Sequence, residues 1–169
     1  MASTASQDAF VSAVERHRGI LFRVADAYCR DAAGREDLVQ DTIVQLWRAY
    51  GRFDDRCAFS TWVYRIAVNV AISFYRSERR KAARLAPADG AFLEQMPAPQ
   101  VTEDPRTELL REIIDSFDAL DRALMILYLD DRPYREIADI LGISETNVAT
   151  KIGRLKQHLK GAVAARRQT

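Results

Sequence analysis

Tyr134-Arg-Glu-Ile-Ala-Asp-Ile-Leu-Gly-Ile-Ser-Glu-Thr-Asn-Val-Ala-Thr-Lys-Ile-Gly-Arg154 is the stretch on which the fold turns. Ala138, Gly142 and Val148 carry its signal. Two helices that cross steeply need a small side chain where their backbones approach, and Ala138 supplies it. The turn between them needs a residue that tolerates positive φ, which glycine does without steric cost. The second helix needs a branched apolar anchor facing the first, here Val148. Ser144 stands where a side-chain oxygen can cap that second helix. The pattern is a helix-turn-helix, a unit that lays one helix in the DNA major groove.

Outward from this stretch, helical periodicity runs through most of the chain and strand signals are nearly absent. The expected fold class is all-α. A first helix is predicted over about Gln7 to Cys29, with Phe10, Val14, Leu21, Val24 and Tyr28 on one face. Gly34 is expected to break the chain. A second helix follows from about Glu36 to Tyr50, with Val39, Ile43, Leu46, Trp47 and Tyr50 as its inner stripe. After a loop at Gly51 to Cys57, Ser60 is expected to cap a long third helix to about Arg84, buried along Trp62, Ile66, Val70 and Phe74. Pro87, Pro97, Pro99 and Pro105 then fall in a stretch without periodicity, which reads as a flexible tether. Helices resume near Arg106, with Leu109, Ile113 and Phe117 on one and Leu120, Leu124 and Leu127 on the next. Asp130 to Pro133 makes a turn before the helix-turn-helix. The division is therefore two small helical domains, 7–84 and 106–164, joined by a Pro-rich linker at 85–105.

The 169 residues carry a formal net charge of +1 with 29% charged residues, so bulk charge makes no case for a polyanion partner. Its distribution does. Arg65, Arg76, Arg79, Arg80, Lys81 and Arg84 face only Glu78 in the third helix. Lys151, Arg154, Lys156, Lys160, Arg166 and Arg167 face only Glu145 at the end of the chain. Between Asp26 and Asp55 seven acids face four arginines. Two basic patches flanking an acidic zone fit two polyanion contacts and a different partner for the acids. Cys29 and Cys57 lack metal-ligand spacing and read as reduced thiols of a cytosolic protein. Met1 to Gln7 is polar and no apolar run approaches membrane-spanning length, so the expected location is the cytoplasm.

On the recognition helix, Val148, Ile152, Leu155 and Leu159 recur at helical spacing. That leaves Thr146, Asn147, Thr150, Lys151 and Arg154 beside them as candidate DNA contacts, because Asn, Lys and Arg donate to base edges or phosphates. On the third helix a second polar row, Arg65, Asn69, Ser73, Arg76 and Arg80, runs beside apolar residues. It fits capture of an unpaired base, and by pattern alone it fits a solvated helix face equally well. The second helix exposes Asp37, Gln40, Asp41, Gln45 and Arg48, by itself an ordinary surface, while Trp47 by residue type belongs to a core. There is no phosphate-cradling glycine loop, paired-carboxylate signature, metal box or cofactor motif, and an enzyme reading has no residues to rest on.

Taken together these residues resemble the extracytoplasmic-function branch of bacterial RNA polymerase sigma factors. Glu36-Asp-Leu-Val-Gln-Asp-Thr-Ile-Val-Gln-Leu-Trp47 is similar to that family's polymerase-binding helix. Phe59-Ser-Thr-Trp-Val-Tyr-Arg-Ile-Ala-Val-Asn69 is similar to its melting and −10 segment, and Tyr134 to Arg154 to its −35 reader. The resemblance implies that Asp37, Gln40 and Asp41, with Trp47 nearby, dock on a coiled coil of the largest polymerase subunit. It implies that Asn69 and Ser73 take a flipped base, that the reading helix holds −35 DNA, and that an anti-sigma partner exists. Ser73, Asp121 and Ala149 depart from residues more usual at those places. A stand-alone helix-turn-helix regulator is the competing reading, distinguished by whether core polymerase co-purifies.

Overall fold

A computed structural model describes residues 4–85 and 104–167; residues 86–103, most of the expected tether, lie outside it. Among the described residues the chain forms seven helices and no strand: α1 (Thr4–Tyr28), α2 (Ala32–Tyr50), α3 (Phe59–Leu85), α4 (Pro105–Asp115), α5 (Ala119–Leu129), α6 (Tyr134–Leu141) and α7 (Glu145–Arg167). The first three pack on one another as one unit, and the last four form a second.

In the first unit, α1 buries all five of the apolar residues expected to line it. Helix α2 departs from expectation at its start. The Asp31 side chain accepts the Gly34 amide at 2.7 Å and caps a helix beginning at Ala32, so Gly34 lies inside the first turn and breaks nothing. A Cβ there would meet Asp31 Oδ1 at 3.0 Å, which explains why the position is glycine. The buried face of α2 is Leu38, Thr42 and Leu46, shifted from the expected stripe. Thr42 can sit in a core because its hydroxyl donates to the Leu38 carbonyl at 2.7 Å, leaving no polar atom unpaired.

Helix α3 starts earlier than expected too. Trp62 N donates to the Ala58 carbonyl at 3.1 Å, which puts Ser60 in the first turn and not at the cap. Its fully buried residues are Val63, Tyr64, Ala67, Val68 and Ala71, whereas Trp62, Ile66, Val70 and Phe74 are half-buried. The reason is that α3 is covered from two sides. Helices α1 and α2 take one face, and α5 and α6 of the second unit take another.

In the second unit Asp104 caps α4, whose first turn holds Pro105, where the missing amide costs no hydrogen bond. Phe117 is buried in the connection between helices and not on α4 as expected. Helix α5 is buried on nearly every side, from Arg122 through Leu127, because α1, α3, α4, α6 and α7 all surround it. Gly142 ends α6 in the left-handed region at φ 66°, and its amide returns to the Ala138 carbonyl at 2.9 Å.

The two units share one continuous core. A buried charge sits at their junction. The Arg122 guanidinium, 5% exposed, donates to the carbonyls of Phe117 (3.1 Å), Asp115 (2.6 Å) and Ala27 (3.1 Å) and to the Asp115 carboxylate (3.3 Å). It also lies 4.6 Å over the Tyr75 ring. Removing one partner of such a network leaves groups buried without compensation. Arg122→Ala should therefore cost about 3–5 kcal/mol in urea unfolding. Arg122→Lys should recover only part of that loss, since one ammonium cannot reach acceptors spread across a planar fork.

Candidate nucleic-acid interface

The recognition helix is built from its first turn. Ser144 Oγ accepts the Asn147 amide at 3.1 Å, satisfying one of the amides a helix start leaves open. Val148, Ile152 and Leu155 are buried against the rest of the unit, which turns Thr146, Asn147, Thr150 and Arg154 to solvent. Two of the five expected contacts are already engaged. The Thr150 hydroxyl donates to the Thr146 carbonyl at 3.0 Å, and Lys151, half-buried, holds its Nζ 3.5 Å from Asp121 on α5. Asp121 thus has a use in the unit: it orients Lys151.

On α3, Asn69, Ser73, Arg76 and Arg80 form an exposed row with Arg65 half-buried at its start. Asn69 and Ser73 line an open groove between α2 and α3, and Asp41, Gln45 and Ala49 form the other wall. A residue expected to touch polymerase and two expected to hold a base therefore share one groove. Arg76 and Arg80 line a neighbouring depression with Tyr75, Arg79 and Leu120 of α5. Arg79 was counted in the basic patch of the third helix from sequence but given no place in the contact row. Its guanidinium lies 5.7 Å over the Tyr75 ring, one step round the helix from the row, on the side the second unit covers.

Asp37, Gln40 and Asp41 are exposed on α2. Trp47 is not simply core: it is 40% exposed and packs its edge on Phe10 with ring centroids 5.0 Å apart. Val44, 46% exposed, lies between Asp41 and Trp47 on the same face and was missed, since a lone valine in a helix carries no surface signal. The acidic zone is smaller than the sequence implied. Asp26 pairs with Arg35 at 3.6 Å and Arg111 at 3.0 Å, and Asp31 is spent as a cap. Cys29 and Cys57 are unpaired, and burial pushes the Cys29 thiol up to about 11, which keeps it protonated and unreactive. His17 rests on the Ala13 carbonyl at 2.8 Å, and His158 on the Phe117 ring.

The capped helix α7 and the row on α3 thus present two separate polar faces to solvent. Comparison with known proteins narrows this. The Sigma-70 region 2 profile matches residues 13–81, and the Sigma-70 region 4 profile matches residues 107–159. The sigma factor CnrH of Cupriavidus metallidurans is 29% identical over 97% of this chain and 91% of its own length. The ECF sigma factor SigW of Bacillus subtilis is 26% identical over 91% of this chain and 88% of its own length. The probable sigma factor RfaY of Xanthomonas campestris is 25% identical over 99% of this chain, which spans 44% of that longer protein. The solved structure of CnrH in complex with the cytosolic domain of CnrY superposes with a TM-score of 0.67 at 25% identity, covering 94% of this chain and 90% of that one. The chain belongs to the extracytoplasmic-function branch of the bacterial sigma factors, which are transcription initiation factors. No helix among the described residues is long and apolar enough to cross a membrane.

Ser144→Ala should lower the stability of the protein by about 1 kcal/mol in thermal or urea unfolding, the usual worth of an N-cap. Ser144→Asp should recover it, because a carboxylate accepts the same amide.

Proposed function

We propose that this chain directs core RNA polymerase to a restricted set of promoters by a division of labour between its two units. The first, about 7–84, binds the polymerase through Asp37, Gln40, Asp41 and Trp47. It holds melted −10 DNA along Arg65, Asn69, Ser73, Arg76 and Arg80. The second, about 106–164, holds −35 duplex through Thr146, Asn147, Thr150, Lys151 and Arg154, and residues 85–105 connect them. The observation that carries this reading is the α2–α3 groove, where Asn69 and Ser73 face Asp41. Base capture there would occur within one helix diameter of the polymerase contact, so docking and strand opening would be coupled through a single rigid wall.

The chemistry supports base capture over catalysis. Asn69 offers both a donor and an acceptor to the edge of an unstacked base, while Arg76 and Arg80 neutralise the strand beside it. An anti-sigma regulator is proposed by analogy, since CnrH has been solved with the cytosolic domain of CnrY. The work of all these parts is cytoplasmic and none of it is enzymatic.

Asp41→Arg should weaken binding to core polymerase about tenfold or more by reversing a contact charge, with unchanged circular dichroism of the free protein. Unaltered affinity would remove the docking assignment. Asn69→Ala should slow open-complex formation by roughly tenfold, about 1–3 kcal/mol for a lost base-edge contact, and leave closed duplex binding nearly intact. Permanganate footprinting against filter binding separates the two steps; equal losses in both would end the base-capture role.

A further inference from the structure

Gly153 sits in the interior of α7, and nothing inside the protein asks for a glycine there. Its φ is not positive, so any L residue could adopt that backbone. A Cβ built on it would meet no atom within 4 Å. An exposed glycine in a helix interior is roughly 1 kcal/mol less favourable than alanine, because it has more chain entropy to lose on folding. At Gly34 the crowding of Asp31 supplies the reason for glycine, and at Gly142 the left-handed turn does. Gly161, equally open, lies within the last two turns of α7, where helices fray and the penalty shrinks. Gly153 has none of these reasons.

Its neighbours on the helix surface share this lack of bulk. Thr146, Thr150 and Gly153 recur at i, i+4 and i+7, with Ala149 beside them. All four are exposed, on the side away from buried Val148, Ile152 and Leu155. The Thr150 hydroxyl donates to the Thr146 carbonyl at 3.0 Å, so its methyl is the group left to face outward. Lys151 is turned aside to Asp121. The long donors Asn147 and Arg154 run along one edge of this surface and not across it. Apart from the Thr146 hydroxyl, what faces outward here is methyl groups and bare backbone.

That α7 enters a major groove belongs to the proposed function and is supported by the region 4 match; these residues bear on how the helix reads what it meets there. The major groove of B-DNA is about 12 Å wide and a helix with its side chains about 10–12 Å across, so bulk on the outward face decides how deeply the helix seats. Thymine is the one base that offers an apolar group in that groove, its 5-methyl, and threonine methyls and alanine side chains are suited to meet it. We propose that Gly153 is a specificity-determining residue: its missing side chain lets α7 seat closely enough for the methyls of Thr150 and Ala149 to pack on the 5-methyl of a thymine in the −35 element. Arg154, next along the helix, then reaches the strand beside that base. The proposal deepens the −35 assignment of α7 and rests on it.

The test uses the full chain with core polymerase and a promoter fragment recovered from a genomic library by run-off transcription. Gly153→Ala and Gly153→Gln should each raise the thermal midpoint of the free protein, by about 2–4 °C for alanine, since both residues favour a helix over glycine. Both should nonetheless weaken binding of the polymerase complex to that promoter, glutamine by about tenfold or more, because added bulk holds the helix off the groove floor. A glycine with a merely structural role would not give a chain that is more stable yet binds less well. Replacing the −35 thymines one at a time by deoxyuracil removes only the methyl. With the wild-type chain one such replacement should lose about fourfold in affinity, the worth of one buried methyl group. With Gly153→Gln the same replacement should change nothing. Variants that melt below wild type, a −35 element without thymine, a Gly153→Gln chain that binds as wild type does, or a uracil loss that persists in that variant would each overturn the proposal while leaving the −35 assignment standing. A wild-type chain that yields no promoter-specific RNA with core polymerase would instead sink the functional reading, and the role of Gly153 with it.

Discussion

A buried guanidinium cannot be left without acceptors, and Arg122 therefore dictates how this protein is assembled. Its bonds to Phe117 and Asp115 fix the corner between α4 and α5. Its reach to Ala27 and Tyr75 then sets the second unit onto the first. Helix α5, which carries Arg122, is buried on nearly all sides, so little else in the second unit can move without disturbing this charge. A hydrophobic contact could hold two units in many registers. Five directed bonds to one planar group allow very few.

The surfaces proposed to meet DNA and polymerase follow from what that core leaves uncovered. Because Val148, Ile152 and Leu155 are inward on α7, the polar first turns of that helix face out. Because α3 gives one face to α1 and α2 and another to α5 and α6, its remaining polar row is confined to a strip between them. That strip borders α2 directly, which places Asn69 and Ser73 opposite Asp41. Membership in the sigma factor family gives these surfaces their meaning, and their positions are consequences of packing.

Much of the architecture was legible in the chain. The Ala138, Gly142 and Val148 spacing predicted the helix-turn-helix, and φ 66° at Gly142 supplies the reason for glycine there. Helix existence was readable from 3.6-residue periodicity; helix starts were not. Gly34 looked like a break because glycine disfavours helices, yet a capping Asp31 three residues earlier overrides that preference. The stripe on α3 was misplaced for a different reason. Periodicity locates a single apolar face, and α3 is covered on two, so its most buried residues run from Val63 and Tyr64 through Ala67, Val68 and Ala71, beside the stripe that periodicity picks out.

The sequence by itself determined the all-α class, the helix-turn-helix and the order of its segments, because these depend on neighbours a few residues apart. Tertiary structure alone decided that Lys151 is tied to Asp121, that Trp47 is part surface, and that Tyr64 meets Asp130 across the chain. Those pairings join residues from 30 to 66 positions apart, and no local spacing encodes them. They arise only once burial of the apolar faces has fixed where each helix lies.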